Sequence, residues 1–148
     1  MQPRLKYGQL APEGLARMQE LEHYLNTATG LEPTLQEFVR LLVSEMNGCE
    51  YCIRLHTKKL QERNETPERI AGLTAWHKSD LYTQRERAAL AWAAAVTDIQ
   101  DGHAPDPVYD ELRAHFSEVE TVNLTWTVTT INAWNRMAIS LGAHSQRG

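Results

Sequence analysis

Cysteine is nearly absent from this chain: two in 148 residues, Cys49 and Cys52. One such pair cannot make the multi-bridge framework of a small secreted scaffold. Long apolar runs are missing as well. The longest, Ala88 to Val96, falls far short of the roughly 20 residues that span a bilayer as a helix. The opening MQPRLKYGQLAPEG has no apolar stretch of the kind found in secretory signals. A cytoplasmic protein is therefore expected, and there a CxxC is more often catalytic or metal-binding than structural. Excess positive charge is also lacking: the net charge of -4 gives no basis for a nucleic-acid or anionic-membrane partner. No internal repeat, low-complexity tract or linker divides the chain. Its length suits one domain, residues 1–148, burying roughly two-thirds of its unfolded surface.

What is present is helical patterning with clear punctuation. Residues 1–10 read as a loosely ordered arm. Pro12, Gly14, Leu15, Met18, Leu21 and Leu25 define a first helix ending near Asn26 to Gly30. Glu32-Pro33 opens a second, with proline at a position where its missing N–H costs nothing, and Asn47-Gly48 closes it. A third runs from about Cys49 to Arg63, and a short fourth from Thr66-Pro67 to about Ala75 or Trp76. Thr83 with Glu86, and Ser117 with Glu120, are capping boxes that start the fifth and the last. Asp106-Pro107 starts the sixth. The segment Thr121 to Ile131 is rich enough in Thr, Val and Trp to pass for a strand by propensity. Its cap, its length to Gly142 and the lack of any strand to pair with make it a helix. The fold class is all-α, a bundle of six to seven helices.

The chemistry gathers between Glu37 and His56, EFVRLLVSEMNGCEYCIRLH. A helix that begins near Cys49 places both thiols in its first turn, beside unpaired backbone N–H groups and the positive end of the dipole, which favour thiolate. On that helix Cys49, Cys52 and His56 lie on one stripe, with the imidazole one turn from Cys52. A thiol, a second thiol, a proton carrier and a carboxylate are the parts of a redox site.

The pattern Glu37-x11-Cys49-x-x-Cys52-x3-His56 resembles the signature of the alkylhydroperoxidase D-like branch of the carboxymuconolactone decarboxylase family. The flanking Leu41 to Cys49, Thr83 to Thr97 and Asn132 to Arg136 are similar to it too. The resemblance implies a thiol peroxidase for (alkyl) hydroperoxides. Its site residues would be Cys52 as the attacking sulfur, Cys49 as the resolving one, and Glu37 and His56 as the proton relay. It also implies reduction by a dithiol donor, a lipoylated or thioredoxin-like partner, and a homo-oligomer, trimeric or hexameric. No cofactor and no metal are expected. Two other readings stay open: a general CxxC disulfide reductase, and a redox-sensing oligomeric module without peroxidase turnover. The lactone-decarboxylating branch is disfavoured, because that chemistry needs no CxxC.

Bland readings exist for each of these residues. Cys49, Cys52, His56 and Glu37 are a possible zinc set, although three ligands on one continuous helix do not easily wrap a tetrahedral ion. Glu37 alone is an ordinary surface charge. Tyr51 points to a different face and is a candidate pocket residue, while Glu45 and Glu50 read as solvated. His77, His103, His115 and His144 form no cluster in sequence, and the four tryptophans read as core or interface residues. On the last helix, Val119, Val122, Trp126 and Trp134 lie towards one side and Leu124, Val128, Ile131 and Ala138 towards another. One side suits the chain's own core and the other a partner copy.

Overall fold

A computed structural model describes residues 3–142, so His144 lies outside the described residues. The described chain is helical and contains no strand. Its elements are α1 (Tyr7–Leu10), α2 (Pro12–Thr27), α3 (Pro33–Asn47), α4 (Glu50–Glu62), α5 (Pro67–Ala71), a 3-10 helix (Leu73–Lys78), α6 (Gln84–Thr97), α7 (Asp106–Arg113) and α8 (Glu118–Leu141). The all-α class is as the sequence implies, with two differences in count. The amino-terminal arm contains the single turn α1, held by tertiary contact: Tyr7 is buried, and the amides of Arg4 and Leu5 donate to the Leu141 carbonyl. The fourth predicted helix stops at Ala71, and after Gly72 the chain tightens into the 3-10 turn.

Helix α3 is the axis of the bundle. Every residue from Leu35 to Ser44 is buried, which requires neighbours on all sides; α4, α6 and α8 supply them. One stripe, Leu35, Val39 and Val43, joins Leu124, Val128, Ile131 and Trp134 of α8 and the small Ala88, Ala89 and Ala93 of α6. A second, Phe38, Leu41 and Leu42, packs with Leu60, Leu73, Tyr82 and Leu90. The third stripe is polar: Gln36, Glu37, Arg40 and Ser44, all buried. Buried polar groups require partners, so this stripe sets where the chemistry lies.

Both capping boxes form. Thr83 and Ser117 accept from the backbone amides of Glu86 and Glu120, whose carboxylates accept from the cap amides in return. Helix α8, 24 residues long, accommodates Thr125 and Thr127 by turning their hydroxyls onto the backbone one turn back. Thr125 donates to the Thr121 carbonyl at 2.7 Å and Thr127 to that of Asn123 at 3.1 Å, a bond that a helix tolerates. Leu124, Val128, Ile131 and Ala138 face the core, whereas Val119, Val122 and Trp126 are exposed at 68%, 55% and 49%. Trp134 corrects the expected division, since it is buried and not on the outer face.

Candidate active site

The site is built at the corner between α3 and α4. Gly48 adopts φ 72°, ψ 32°, the left-handed conformation that glycine reaches without a Cβ penalty. Its amide donates to the Glu45 carbonyl at 3.2 Å, and the Cys49 amide donates to that of Ser44 at 3.0 Å. This is a Schellman closure of α3. Cys49 is at once the last bonded residue of that closure and the N-cap of α4, so the end of one helix fixes the start of the next. Cys52 falls at the third helical position. The two sulfurs are bonded as a disulfide, with Cα atoms 5.3 Å apart, and both lie within the buried apolar cluster.

Side chains from α8 brace the same corner. Asn47 donates to Asn132 at 2.9 Å and to Asn135 at 3.0 Å, and Asn135 donates to the Ser44 hydroxyl at 3.1 Å. Arg136 in turn donates to Asn132 at 2.6 Å. The Asn132 to Arg136 stretch therefore acts as a polar latch on the Asn47-Gly48 turn that presents the cysteines.

One turn beyond Cys52 on α4 is His56, fully buried. Its Nδ1 lies 2.7 Å from Glu37 Oε2. Burial pushes the Glu37 carboxyl up, but the His56 hydrogen bond and the charges of His56, Arg40 and Lys59 outweigh it and hold the pKa at about 2. Glu37 is thus an ionised, buried carboxylate rather than a solvated surface charge. The structure pairs Glu37 with His56 and Cys49 with Cys52, and α4 carries His56 one turn beyond Cys52.

Two charged residues at the site escaped the sequence reading. Arg40 Nη1 donates to Glu37 Oε1 at 2.9 Å, while its Nη2 lies 3.2 Å from Glu22 Oε1 and 3.3 Å from Gln36 Oε1. Glu22 also accepts from the Trp134 indole at 2.7 Å. The available signal for Arg40 was Gln36, Arg40 and Ser44 at four-residue spacing in the stretch Leu35 to Ser44, which is apolar apart from these and Glu37.

Two cavities border this network. One of about 510 Å3 is lined by Gln36, Glu37, Arg40, Lys59 and Arg63 among others. The other, about 360 Å3, is lined by Glu22, His23, Tyr51, Leu55, Lys59 and Trp134 among others. Asn26 and Lys59 border both. Tyr51, between the cysteines, is therefore a cavity-lining residue. No group of three or more His, Cys, Asp or Glu side chains is placed to hold a metal among the described residues.

Glu45 departs from its expected solvated state. It is half-buried, its Oε2 has no hydrogen-bond partner among the described residues, and burial pushes its carboxyl up to about 7 from 4.5. Between those two values the folded state holds a proton that the unfolded chain has lost. Stability therefore falls as pH rises through that window. Solvent screening at this half-exposed position limits the effect to about 1 kcal/mol. Glu45→Gln is expected to raise the thermal midpoint by roughly 2–4 °C at pH 8 and leave it unchanged at pH 4, as calorimetry at the two pH values would show.

Known proteins share this architecture. The model of the carboxymuconolactone decarboxylase family matches residues 12–95. An uncharacterized Bacillus subtilis protein, YdfG, is 37% identical over 142 residues, covering 96% of each chain. The crystal structure of ATU0492 from Agrobacterium tumefaciens, a protein of unknown function suggested to be the antioxidant-defence protein AhpD, superposes with a TM-score of 0.92. It is 35% identical, with 96% of this chain and 97% of that one covered. The debrominase Bmp8, 20% identical with a TM-score of 0.77 over 87% of this chain and 69% of that one, shares the fold alone. The residues matched by the family model, and the likeness to YdfG and ATU0492 over nearly the whole length, show that this chain belongs to the carboxymuconolactone decarboxylase family, as an alkylhydroperoxidase D-like member.

Proposed function

We propose that the protein is a thiol-dependent peroxidase that reduces organic hydroperoxides through the Cys49–Cys52 pair. The observation that carries this reading is the buried Glu37–His56 pair at 2.7 Å, one helical turn from a redox disulfide at a helix start. In the reduced protein His56 takes the Cys52 proton, the helix start favouring the thiolate. The sulfur attacks the distal peroxide oxygen and the O–O bond breaks. Sulfur is oxidised to sulfenic acid, and the leaving alkoxide takes the proton back from His56 to depart as alcohol. With Nδ1 engaged by Glu37, proton exchange with sulfur falls to Nε2. The Cys49 thiol then displaces water from the sulfenic acid to form the disulfide, and a dithiol donor restores both thiols while becoming a disulfide itself. Cumene hydroperoxide with dihydrolipoamide tests this: steady consumption of both, in equal amounts, is expected. Dithiol exchange unaccelerated by peroxide would leave a general disulfide reductase. A cytoplasmic setting, which keeps thiols reduced, suits the cycle. No described helix is long and apolar enough to cross a membrane.

The working unit is a homo-oligomer, trimeric or hexameric. Val119, Val122 and Trp126 stand exposed on α8 beside an apolar depression of about 350 Å3 formed with Thr121, Thr125 and Thr129. A second copy of this chain would cover that face. Sedimentation at micromolar concentration should give at least three times the 16.9 kDa of one chain, and Trp126→Glu should shift it towards monomer. A wild-type monomer under those conditions would refute the assembly.

A further inference from the structure

We infer that Glu22 and Arg40 are positioning residues that set the proton affinity of His56 through Glu37, acting with opposite signs. The four charged positions form one chain across three helices. Glu22 comes from α2, Arg40 and Glu37 from α3, and His56 from α4, with successive separations of 3.2, 2.9 and 2.7 Å. Arg40 and His56 divide the same carboxylate: Oε1 serves the guanidinium and Oε2 the imidazole. Glu22 draws on the guanidinium from its other side. Two carboxylates and one guanidinium leave a single negative charge, which an imidazolium at His56 completes. In a buried setting such a balance is felt strongly, because water does not screen it.

Other groups adjoin the chain but do not close it. Lys59 of α4 lies near enough to act on Glu37 by its charge, and it is half-exposed at the border of both cavities. Glu62 and Arg63 line the larger cavity and are exposed. From α8 come neutral partners, the Trp134 indole on Glu22 and the Thr127 hydroxyl, 3.4 Å from Gln36 Oε1.

The signs follow from the order of the chain. With the Glu22 charge removed, Arg40 places its whole charge on Glu37, which then holds the His56 proton less strongly. With the Arg40 charge removed, two carboxylates face the imidazole uncompensated, and the proton is held more strongly. A merely structural role for the pair gives no reason for opposite signs.

The bearing on turnover rests on the peroxidase reading; the coupling itself does not. The test is therefore made on the oxidised protein, without substrate. Ring resonances of His56, assigned by their loss in His56→Asn, are followed by NMR from pH 4 to 10. Glu22→Gln is expected to lower the His56 midpoint, and Arg40→Gln to raise it, each by about one pH unit. Arg40→Lys should return it towards the wild-type value. Should Arg40→Gln fail to fold, the downward shift in Glu22→Gln decides alone. Shifts in the same direction, or none beyond ~0.2 unit in Glu22→Gln, would overturn the assignment. Hydroperoxide kcat/KM would then be measured against pH, its acid limb moving with the same signs.

Discussion

Cys52→Ser is expected to lower hydroperoxide turnover by on the order of 10³-fold or more, because a serine hydroxyl does not ionise where a thiol does. Cys49→Ser should also stop the cycle, but at a different point. It should consume one equivalent of peroxide and halt as a sulfenic acid on Cys52, which dimedone captures and mass spectrometry locates. The helix dipole by itself favours Cys49, the residue nearer the helix start. The geometry weakens that preference, since Cys49 is the N-cap and Cys52 lies only three residues on, in the same first turn. What separates them is the base. His56 is one turn from Cys52 and two from Cys49, and it is held by Glu37 at 2.7 Å. Attack needs a proton removed from sulfur and returned to the leaving oxygen, so the sulfur beside the imidazole has the advantage. Labelling of Cys49 in Cys52→Ser, with none of Cys52 in Cys49→Ser, would reverse the assignment and remove the role given to His56.

The parts of the site that were legible in the sequence are those whose geometry is local. Cys49, Cys52 and His56 share one helix, so spacing alone puts them on one stripe, and the Asn47-Gly48 corner follows from the φ that glycine allows. Both capping boxes could be read for the same reason. Glu37 is different. It reaches His56 across two helices, and its spacing from the cysteine helix together with the family resemblance marked it out from an ordinary surface glutamate. Glu22 and Arg40 had no such marker: their meeting depends on where α2, packed on α8, carries Glu22 relative to α3, which no short-range pattern encodes. The α8 latch was visible as residues but not as a function, because Asn132 and Asn135 meet Asn47 across more than eighty positions of chain. The missed α1 is a tertiary effect as well. Four residues have little helical stability of their own, and the docking of Tyr7 with the arm's bonds to Leu141 holds them in place.

Glu37→Gln should reduce hydroperoxide turnover by about 10²-fold, the usual range for loss of a positioned proton carrier, while leaving both cysteines able to form their disulfide. The amide keeps the size of the carboxylate but not its charge, so an imidazolium at His56 loses its counter-ion. The same change should be visible in stability. The folded pKa of Glu37 is about 2 against an ordinary 4.5, which amounts to about 3 kcal/mol at neutral pH. Because the folded value is the lower one, this contribution is complete above about pH 5 and disappears as pH falls towards 2. Glu37→Gln has nothing to titrate there. Its thermal midpoint should therefore lie roughly 10 °C below wild type near pH 7, and the two should converge as the pH approaches 2. Arg40 remains paired with Glu22 and Gln36 in the variant, so His56 is the group of this network that loses its charged partner. Parallel curves, separated by the same interval from pH 7 to pH 3, would mean that Glu37 contributes packing rather than charge. The relay would then have to begin at His56 alone.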